Sequence, residues 1–439
     1  MTRLRAGYAA RDCTPAEPRQ LSGYGPGTRK RVSTGVHSPL SAKALVFDDG
    51  TTSFALVSLD LLNVFEEFTA AVRRRVAHLE LDYVLVTATH THAAPYMPGK
   101  FLEVNPLLSY DVEVTDYVAT VESATVAAIE AAHDRLEPAA LSVGHAHNDT
   151  VQHNRRDESG PIDPELAVLS VTTESGPDVL VVNFACHPVC TNARETLVSA
   201  DWPGTLYDRV RAETDMETLF VNGAAAEINP RDSRSRRSGD DLYDYMAGVG
   251  EAIAETALTA LDDAREGTPL STPEISISHE PLSLAIQHLD SRDQLQARYD
   301  DLTAEIERLG GGGDRPDFSE LQSADDERAD LLLDRWYAEE KLRLDDWGVD
   351  AFETRLSHVE LGPLAFLTIP GEAFVQHGLD FKAAATADTL FVAGYADDYV
   401  GYFPTQTAFP DGGYEVATCK FSPEAMATFR EVGFELVSE

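Results

Sequence analysis

The chain has 439 residues, with 74 acidic against 35 basic side chains, a net charge of −39 and a pI near 4.5. A surface that acidic repels nucleic acid and anionic bilayers, which excludes a nucleic-acid binder and argues against electrostatic docking on membranes. With 43% hydrophobic residues, the chain can bury one large core or two modest ones.

Residues 5–40 read as turn-rich, punctuated by Asp12-Cys13-Thr14-Pro15 and Gly23-Tyr24-Gly25-Pro26-Gly27. Ala42–Phe47 and Ser53–Leu59 read as strands joined by a hairpin at Asp48-Asp49-Gly50. Glu66–Leu79 has helical spacing. Tyr83–Val86 is an apolar run of the kind a buried strand shows, and it leads into Thr89-His90-Thr91-His92. The pattern predicts an amphipathic helix over Val112–Leu136, with an acidic first turn as the macrodipole favours. Strands are expected at Ala139–His145, Leu166–Thr172, Val179–Phe184 and Thr218–Asn222, with helices over Pro203–Ala212 and Asp240–Asp262.

Residues 274–287 alternate apolar and polar as strands do. Asp290–Leu309 and Phe318–Leu344 are charged and helical, interrupted by Gly310-Gly311-Gly312-Gly313 and Pro316. This predicts a helical hairpin inserted over 290–347 with a flexible tip, read as a solvated insertion ahead of an interaction arm or lid. Leu364–Ile369 and Leu390–Ala393 are further strand candidates. Strand and helix alternate irregularly and without a repeat, which argues against an eight-fold βα barrel.

The four cysteines (Cys13, Cys186, Cys190 and Cys419) form no C-x-x-C pair and read as buried small hydrophobes. The N-terminus lacks the apolar core of a secretory signal, and no run reaches the roughly 18 apolar residues of a membrane helix. A cytoplasmic location is therefore expected. Scarce lysine and the acidic excess along the whole length suggest a halophilic cytosol. The protein is expected to melt higher at molar salt than at low salt; the reverse order in a melting series would refute this.

Side chains two apart on a strand share a face, so His90 and His92 leave the strand end side by side, able to share a metal or divide metal and proton work between them. Alone, such a pair is more often structural. Further loops supply the types a hydrolytic metal site needs. His187-Pro188 follows the strand Val179–Phe184, and Glu372 follows Thr368-Ile369-Pro370-Gly371. Asp397-Asp398-Tyr399-Val400-Gly401-Tyr402 closes a strand with two tyrosines, and His153-Asn154-Arg155-Arg156 puts a guanidinium in a loop.

Taken together and in order, these segments resemble the catalytic domain of the neutral, non-lysosomal ceramidase family of zinc-dependent amidases. The resemblance runs from Gly7 through Asp12-Cys13-Thr14-Pro15, Gly35-Val36-His37, Ser58-Leu59-Asp60 and Thr89-His90-Thr91-His92. It continues through Asn154-Arg155, Asn183-Phe184-Ala185-Cys186-His187-Pro188 and Pro370-Gly371-Glu372, and ends with Asp398-Tyr399-Val400-Gly401-Tyr402 and Tyr414-Glu415. It implies metal ligands at His90, His187, Glu372 and Tyr402, with His92, Arg155 and Tyr414 at catalytic positions. Two imidazoles, a carboxylate and a phenol suit Zn2+, which can lower the pKa of bound water from about 15.7 to about 7. In this reading His92 handles the water's proton, while Arg155 and Tyr414 donate to the substrate carbonyl or orient the substrate. His37 and Asp60 are expected to fix a ligand's tautomer.

The implied fold is α/β, with mixed β-sheets packed together, flanking helices and the inserted hairpin. It forms a single catalytic domain over 1–439, without the β-sandwich domain that follows in many members. The implied substrate is a small-molecule or lipid-like N-acyl amide. The chain departs from the family at Ala226-Glu227-Ile228-Asn229-Pro230-Arg231, where Gly-Asp-x-Ser-Pro-Asn is usual, and at Ala93-Ala94-Pro95 and Arg156-Asp157. The substrate pocket is thus expected to differ more than the zinc machinery. An ester or lactone hydrolase on the same zinc site and a non-catalytic metal-holding scaffold are the alternatives, and the oligomeric state is left open. Amidohydrolase barrels also open on His-x-His, but a strand-end glutamate with tyrosines does not fit their ligand pattern.

Overall fold

Tyr83–Ala88 and Val179–Phe184 are buried at every position. Continuous apolar strands of this kind require cover on both faces of a sheet, and the architecture supplies it. The computed structural model describes residues 3–24, 31–97, 115–233, 237–309 and 327–438. Its main sheet contains β1 (Arg5–Asp12), β2 (Ser41–Asp48), β3 (Ser53–Leu59), β4 (Tyr83–Ala88), β5 (Glu137–His147), β6 (Glu165–Thr173), β7 (Val179–Phe184) and β8 (Glu217–Asn222), in the order β8-β7-β6-β5-β1-β2-β3-β4. The second sheet is β9 (Ile275–Ala285), β10 (Ala351–Leu361), β11 (Leu364–Thr368) and β12 (Thr389–Ala393), in sequential order.

The two sheets pack face to face. One apolar cluster joins Leu45, Phe54, Leu85, Val181 and Leu219 of the first to Val359, Phe366 and Phe391 of the second. Asn183 ties them with a buried amide that donates to Val221 O at 2.8 Å and Val392 O at 2.9 Å. The outer faces are covered by helices. α1 (Glu66–Arg75) and α2 (Thr115–His133) pack through Phe68, Val72, Val121 and Ile129 onto Val46 and Val57. α3 (Trp202–Thr214) and α4 (Asp240–Glu266) cover the other half of that face, with Leu206 and Ile253 against Val168 and Val182. Alternate residues of β2 therefore face different layers: Ala44 and Val46 meet the helices, Leu45 and Phe47 the second sheet.

The second sheet is backed by α7 (Val375–Ala384) and α9 (Pro423–Ser438), through Phe381 and Phe429. Between β9 and β10 lie α5 (Arg292–Arg308) and α6 (Glu327–Trp347). Arg292 pairs with Asp345 and Asp346, and Arg298 with Asp334, so the two helices run antiparallel. A one-turn helix, α8 (Tyr414–Thr418), precedes α9.

The strands lie where the sequence reading put the apolar runs, with one correction. Residues 5–12 are not turns: all eight pair antiparallel with β2, from Arg5↔Asp48 to Asp12↔Ser41. The stretch hides because half of it is Ala and Gly, residues of low strand propensity. Gly7 is small for a reason, since a Cβ there would run into Ala132 O of α2. β10, α7 and α9 have no counterpart in the sequence reading. The turn at Gly25-Pro26-Gly27, the expected helix start at Val112 and the glycine tip at Gly310-Gly311-Gly312-Gly313 lie outside the described residues.

Three adjacent strand pairs are parallel: β3 with β4, β7 with β8, and β11 with β12. Their carboxyl ends meet. Asn222, at the end of β8, donates to Thr89 O beyond β4 (3.1 Å) and accepts from Gly394 N beyond β12 (2.9 Å). Crevices at strand carboxyl ends are where α/β proteins build their sites. Among the described residues, no helix is long and apolar enough to cross a membrane.

Candidate metal centre

Each of these carboxyl ends delivers one chemical group. β4 runs out into His90, which has a left-handed backbone (φ 72°) and donates its own amide to Leu61 O at 2.8 Å. A non-glycine residue is held there only by its surroundings. β7 runs out into His187, whose amide donates to Ile228 O at 2.9 Å. β11 ends at Ile369-Pro370-Gly371, and Glu372 then pairs in parallel register with Tyr402. Gly371 has φ 157°, and a Cβ on it would meet Gly401 O. Two glycines in close contact therefore let the Glu372 and Tyr402 segments lie side by side.

The side chains converge. His187 Nε2 lies 3.3 Å and His90 Nε2 3.6 Å from Glu372 Oε2. His92 Nε2 is 3.4 Å from His90 Nε2, and a ligand atom from each of the three histidines falls within 4.8 Å of the others. His90 Nδ1 is 2.6 Å from Leu62 O, and His187 Nδ1 is 2.5 Å from Ala225 O. A carbonyl can only accept, so both Nδ1 atoms carry the proton and both Nε2 atoms present lone pairs. Tyr399 donates to Glu372 Oε1 at 2.6 Å, leaving Oε2 facing the imidazoles. His187 Nε2 and Glu372 Oε2 have no hydrogen-bond partner. Two of these three buried acceptors therefore have no donor, and His90 Nε2 meets only the His92 ring, an arrangement that costs free energy unless a cation sits there. The residues fit a divalent metal.

Burial lowers the pKa of His90 to about 3 against the pull of Glu372. Burial and then Arg155 lower that of His187 to about 3. Burial, His90 and His187 hold His92 well below the usual imidazole range. All three rings are thus neutral at pH 7, the state in which imidazole binds a metal or accepts a proton. Burial, followed by the Glu372 carboxylate, keeps the Tyr402 phenol protonated while no cation is present.

Arg155, Tyr414 and Tyr402 complete the cluster. Tyr414 is hydrogen-bonded to Tyr402, and their rings meet edge to face at 5.7 Å. The Arg155 guanidinium carbon lies 5.9 Å from the Tyr414 ring. Arg155 Nε donates to Glu415 Oε1 at 2.8 Å, and Arg156 Nη1 donates to Glu415 Oε2 at 2.7 Å. Burial opposes the Arg155 charge, but Glu415, Tyr402 and Glu372 outweigh it. Arg155 Nη2 is buried with no partner. His90, His187, Glu372 and Tyr402 are buried, whereas His92, Arg155 and Tyr414 are half-buried.

The structure thus brings together all seven residues singled out in the sequence, but not His37 and Asp60. The His37 ring stacks on Tyr243 at 4.2 Å, with Nδ1 3.4 Å from Ser199 Oγ. Asp60 accepts from Ser41 N at 2.9 Å and Tyr207 Oη at 3.0 Å. Backbone carbonyls of Leu62 and Ala225 set the tautomers instead, and motif reading cannot see those. The roles of Tyr399 on Glu372, of Tyr395 stacked on His90 at 4.0 Å, and of Glu415 on Arg155 were also missed. Tyr395 stands just past a strand end, so a survey of every strand end would have found it.

Glu227, in the loop after β8, accepts the Val375 amide on both oxygens at 3.1 Å. Burial raises its carboxyl from 4.5 to about 8. Between those values the folded chain holds a proton that the unfolded chain has lost. Stability from this group is therefore full at acid pH and lost as pH rises through about 8. Glu227→Gln, neutral at every pH, is expected to flatten the decline in melting temperature between about pH 5 and 8, read from melts of both proteins across that range.

A family model for neutral/alkaline non-lysosomal ceramidase, N-terminal, matches residues 4–227. A neutral ceramidase of Mycobacterium tuberculosis is 23% identical over 483 aligned residues, covering 95% of this chain and 74% of the relative. The crystal structure of neutral ceramidase from Pseudomonas aeruginosa superposes with a TM-score of 0.75 at 19% identity, over 100% of this chain and 74% of that one. A second structure, described as ceramidase complexed with C2, gives 0.74 at 18% identity, over 100% and 75% of the two chains. At such identities the superpositions speak to the fold, which is that of a neutral ceramidase.

Proposed function

The chain belongs to the neutral/alkaline non-lysosomal ceramidase family, and from that premise we propose that it is a zinc-dependent hydrolase of a linear N-acyl amide bond. Family and fold support an amide-bond hydrolase. The observation that carries the metal reading is the convergence of His90 Nε2 and His187 Nε2 on Glu372 Oε2, with His187 Nε2 and Glu372 Oε2 left without a hydrogen-bond partner. These three and Tyr402 are the proposed ligands. His92 also lies within ligand distance of the other imidazoles. It is assigned to catalysis because it is half-buried, whereas Glu372 Oε2 is buried and left with no other partner.

Zinc bound by these groups would supply a Lewis acid and acidify a water molecule. His92, neutral and half-buried, takes a proton at an imidazole nitrogen and returns it to the leaving amine. Arg155 directs its spare Nη2 hydrogens, and Tyr414 its phenol, toward the oxygen on which negative charge develops. Glu415 keeps Arg155 charged and in position. The substrate is a small-molecule or lipid-like amide, and the second family structure, a ceramidase complexed with C2, supports a lipid-like one.

An ester or lactone hydrolase would use the same groups. A panel pairing each N-acyl amide with its oxygen ester separates the two: at least about tenfold higher kcat/KM on amides is expected, and ester-only turnover would overturn the amide assignment. A protein that binds zinc yet turns over neither would leave a metal-holding scaffold.

A further inference from the structure

The charged hairpin of α5 and α6 reads from sequence as a solvated appendage, yet it meets the short helix that carries two of the site's residues. α8, which bears Tyr414 and Glu415, has five residues and no side-chain cap. A helix that short does not hold itself together in water, so its neighbours must set where Tyr414 points. On one side the neighbour is the site: Tyr402 edge to face, and Arg155 with Arg156 on Glu415. On the other side it is the insertion. The Trp336 indole of α6 lies parallel to the Tyr414 ring, 16° between planes and 6.1 Å between centroids.

Two further ties join the same parts. Gln287, where the chain leaves β9 for the insertion, donates its amide to Lys420 O at 2.9 Å and its side chain to Cys419 O at 2.8 Å. Glu340 of α6 and Lys420 face one another as opposite charges. Leu332, Ala338, Leu342 and Leu344 are buried, and α6 packs against α5 and against α8. We infer that α6 is a built wall of the centre and that Trp336 is a positioning residue, holding the Tyr414 phenol where it meets the substrate oxygen. This rests on the proposed catalytic part of Tyr414. It gives the insertion a task that the bare metal cluster does not require.

Trp336→Ala is expected to lower kcat about 10–100-fold, the scale of a slightly misplaced catalytic group, with KM and zinc content little changed. Trp336→Phe restores most of the rate by keeping a flat ring. In a Tyr414→Phe background Trp336→Ala costs nothing further, because the hydroxyl it positions is gone. Amide hydrogen exchange over 414–418 quickens in Trp336→Ala and stays unchanged in Arg298→Ala, which alters only the exposed Arg298–Asp334 pair of the same hairpin. An undiminished loss in the Tyr414→Phe background, or unaltered exchange at 414–418, overturns the inference. Should Trp336→Ala not fold, Trp336→Leu and Gln287→Ala carry the same exchange comparison. Exchange decides the matter without turnover, so a protein inactive on every amide and ester would defeat the hydrolase reading alone.

Discussion

His187→Ala is expected to lose stoichiometric zinc and, with it, turnover on any N-acyl amide, by more than the about 10²–10³-fold typical of one lost transition-state donor. His187 is 1% exposed and its Nδ1 sits on Ala225 O, which fixes its Nε2 on the cluster. Removing it leaves Glu372 Oε2 facing a single imidazole, His90. His90→Ala and Glu372→Ala should behave alike. His377 is the control, equally buried but bonded through Nε2 to Pro404 O at 3.2 Å, away from the cluster. His377→Gln should keep zinc and most activity. Metal analysis of the purified variants checks this before any substrate is chosen, and full zinc retention in all three cluster variants would sink the metal assignment.

Glu415→Ala should have the next largest effect, and on stability as well as rate. Its carboxylate is 2% exposed and neutralises Arg155 and Arg156 together. Burial pushes this carboxyl up, but the two guanidiniums hold it below the usual glutamate range. Removing one partner of a buried ionic cluster leaves uncompensated charge and typically costs about 3–5 kcal/mol. The rate should fall by about 10²–10³, since Arg155 loses its anchor and Nη2 its aim. Glu415→Gln keeps the shape without the charge and should fall between. Denaturant melts and kcat on a common amide test both. A stable, fully active Glu415→Ala would show that Arg155 is held by Asn229 Oδ1, 3.4 Å from its Nη1, and by packing alone.

Much of the fold was legible because burial leaves a short-range mark. β4 and β7 are continuous apolar runs, and α4 carries its buried Leu242, Met246, Val249 and Ile253 at helical spacing. β1 was not legible, because its Ala and Gly carry no strand signature and its pairing partner lies roughly thirty to forty residues away. The site divides in the same manner. His90 and His92 announce themselves two apart after a strand. Glu372, Tyr402 and Arg155 were singled out by the family resemblance, since a lone glutamate, tyrosine or arginine in a loop has no pattern of its own.

The amino-acid sequence by itself determined that the continuous apolar runs are buried, that a strand ends in paired imidazoles, and to which family the chain is alike. Only the tertiary structure decided that the carboxyl ends of β4, β7 and β11 meet, that Glu372 stands in register with Tyr402, and that Leu62 and Ala225 carbonyls turn two Nε2 lone pairs toward one carboxylate oxygen. The reason is range. Periodicity records what a residue does with its neighbours three or four positions away, whereas a metal centre depends on distances between groups almost three hundred residues apart, and sheet order sets those.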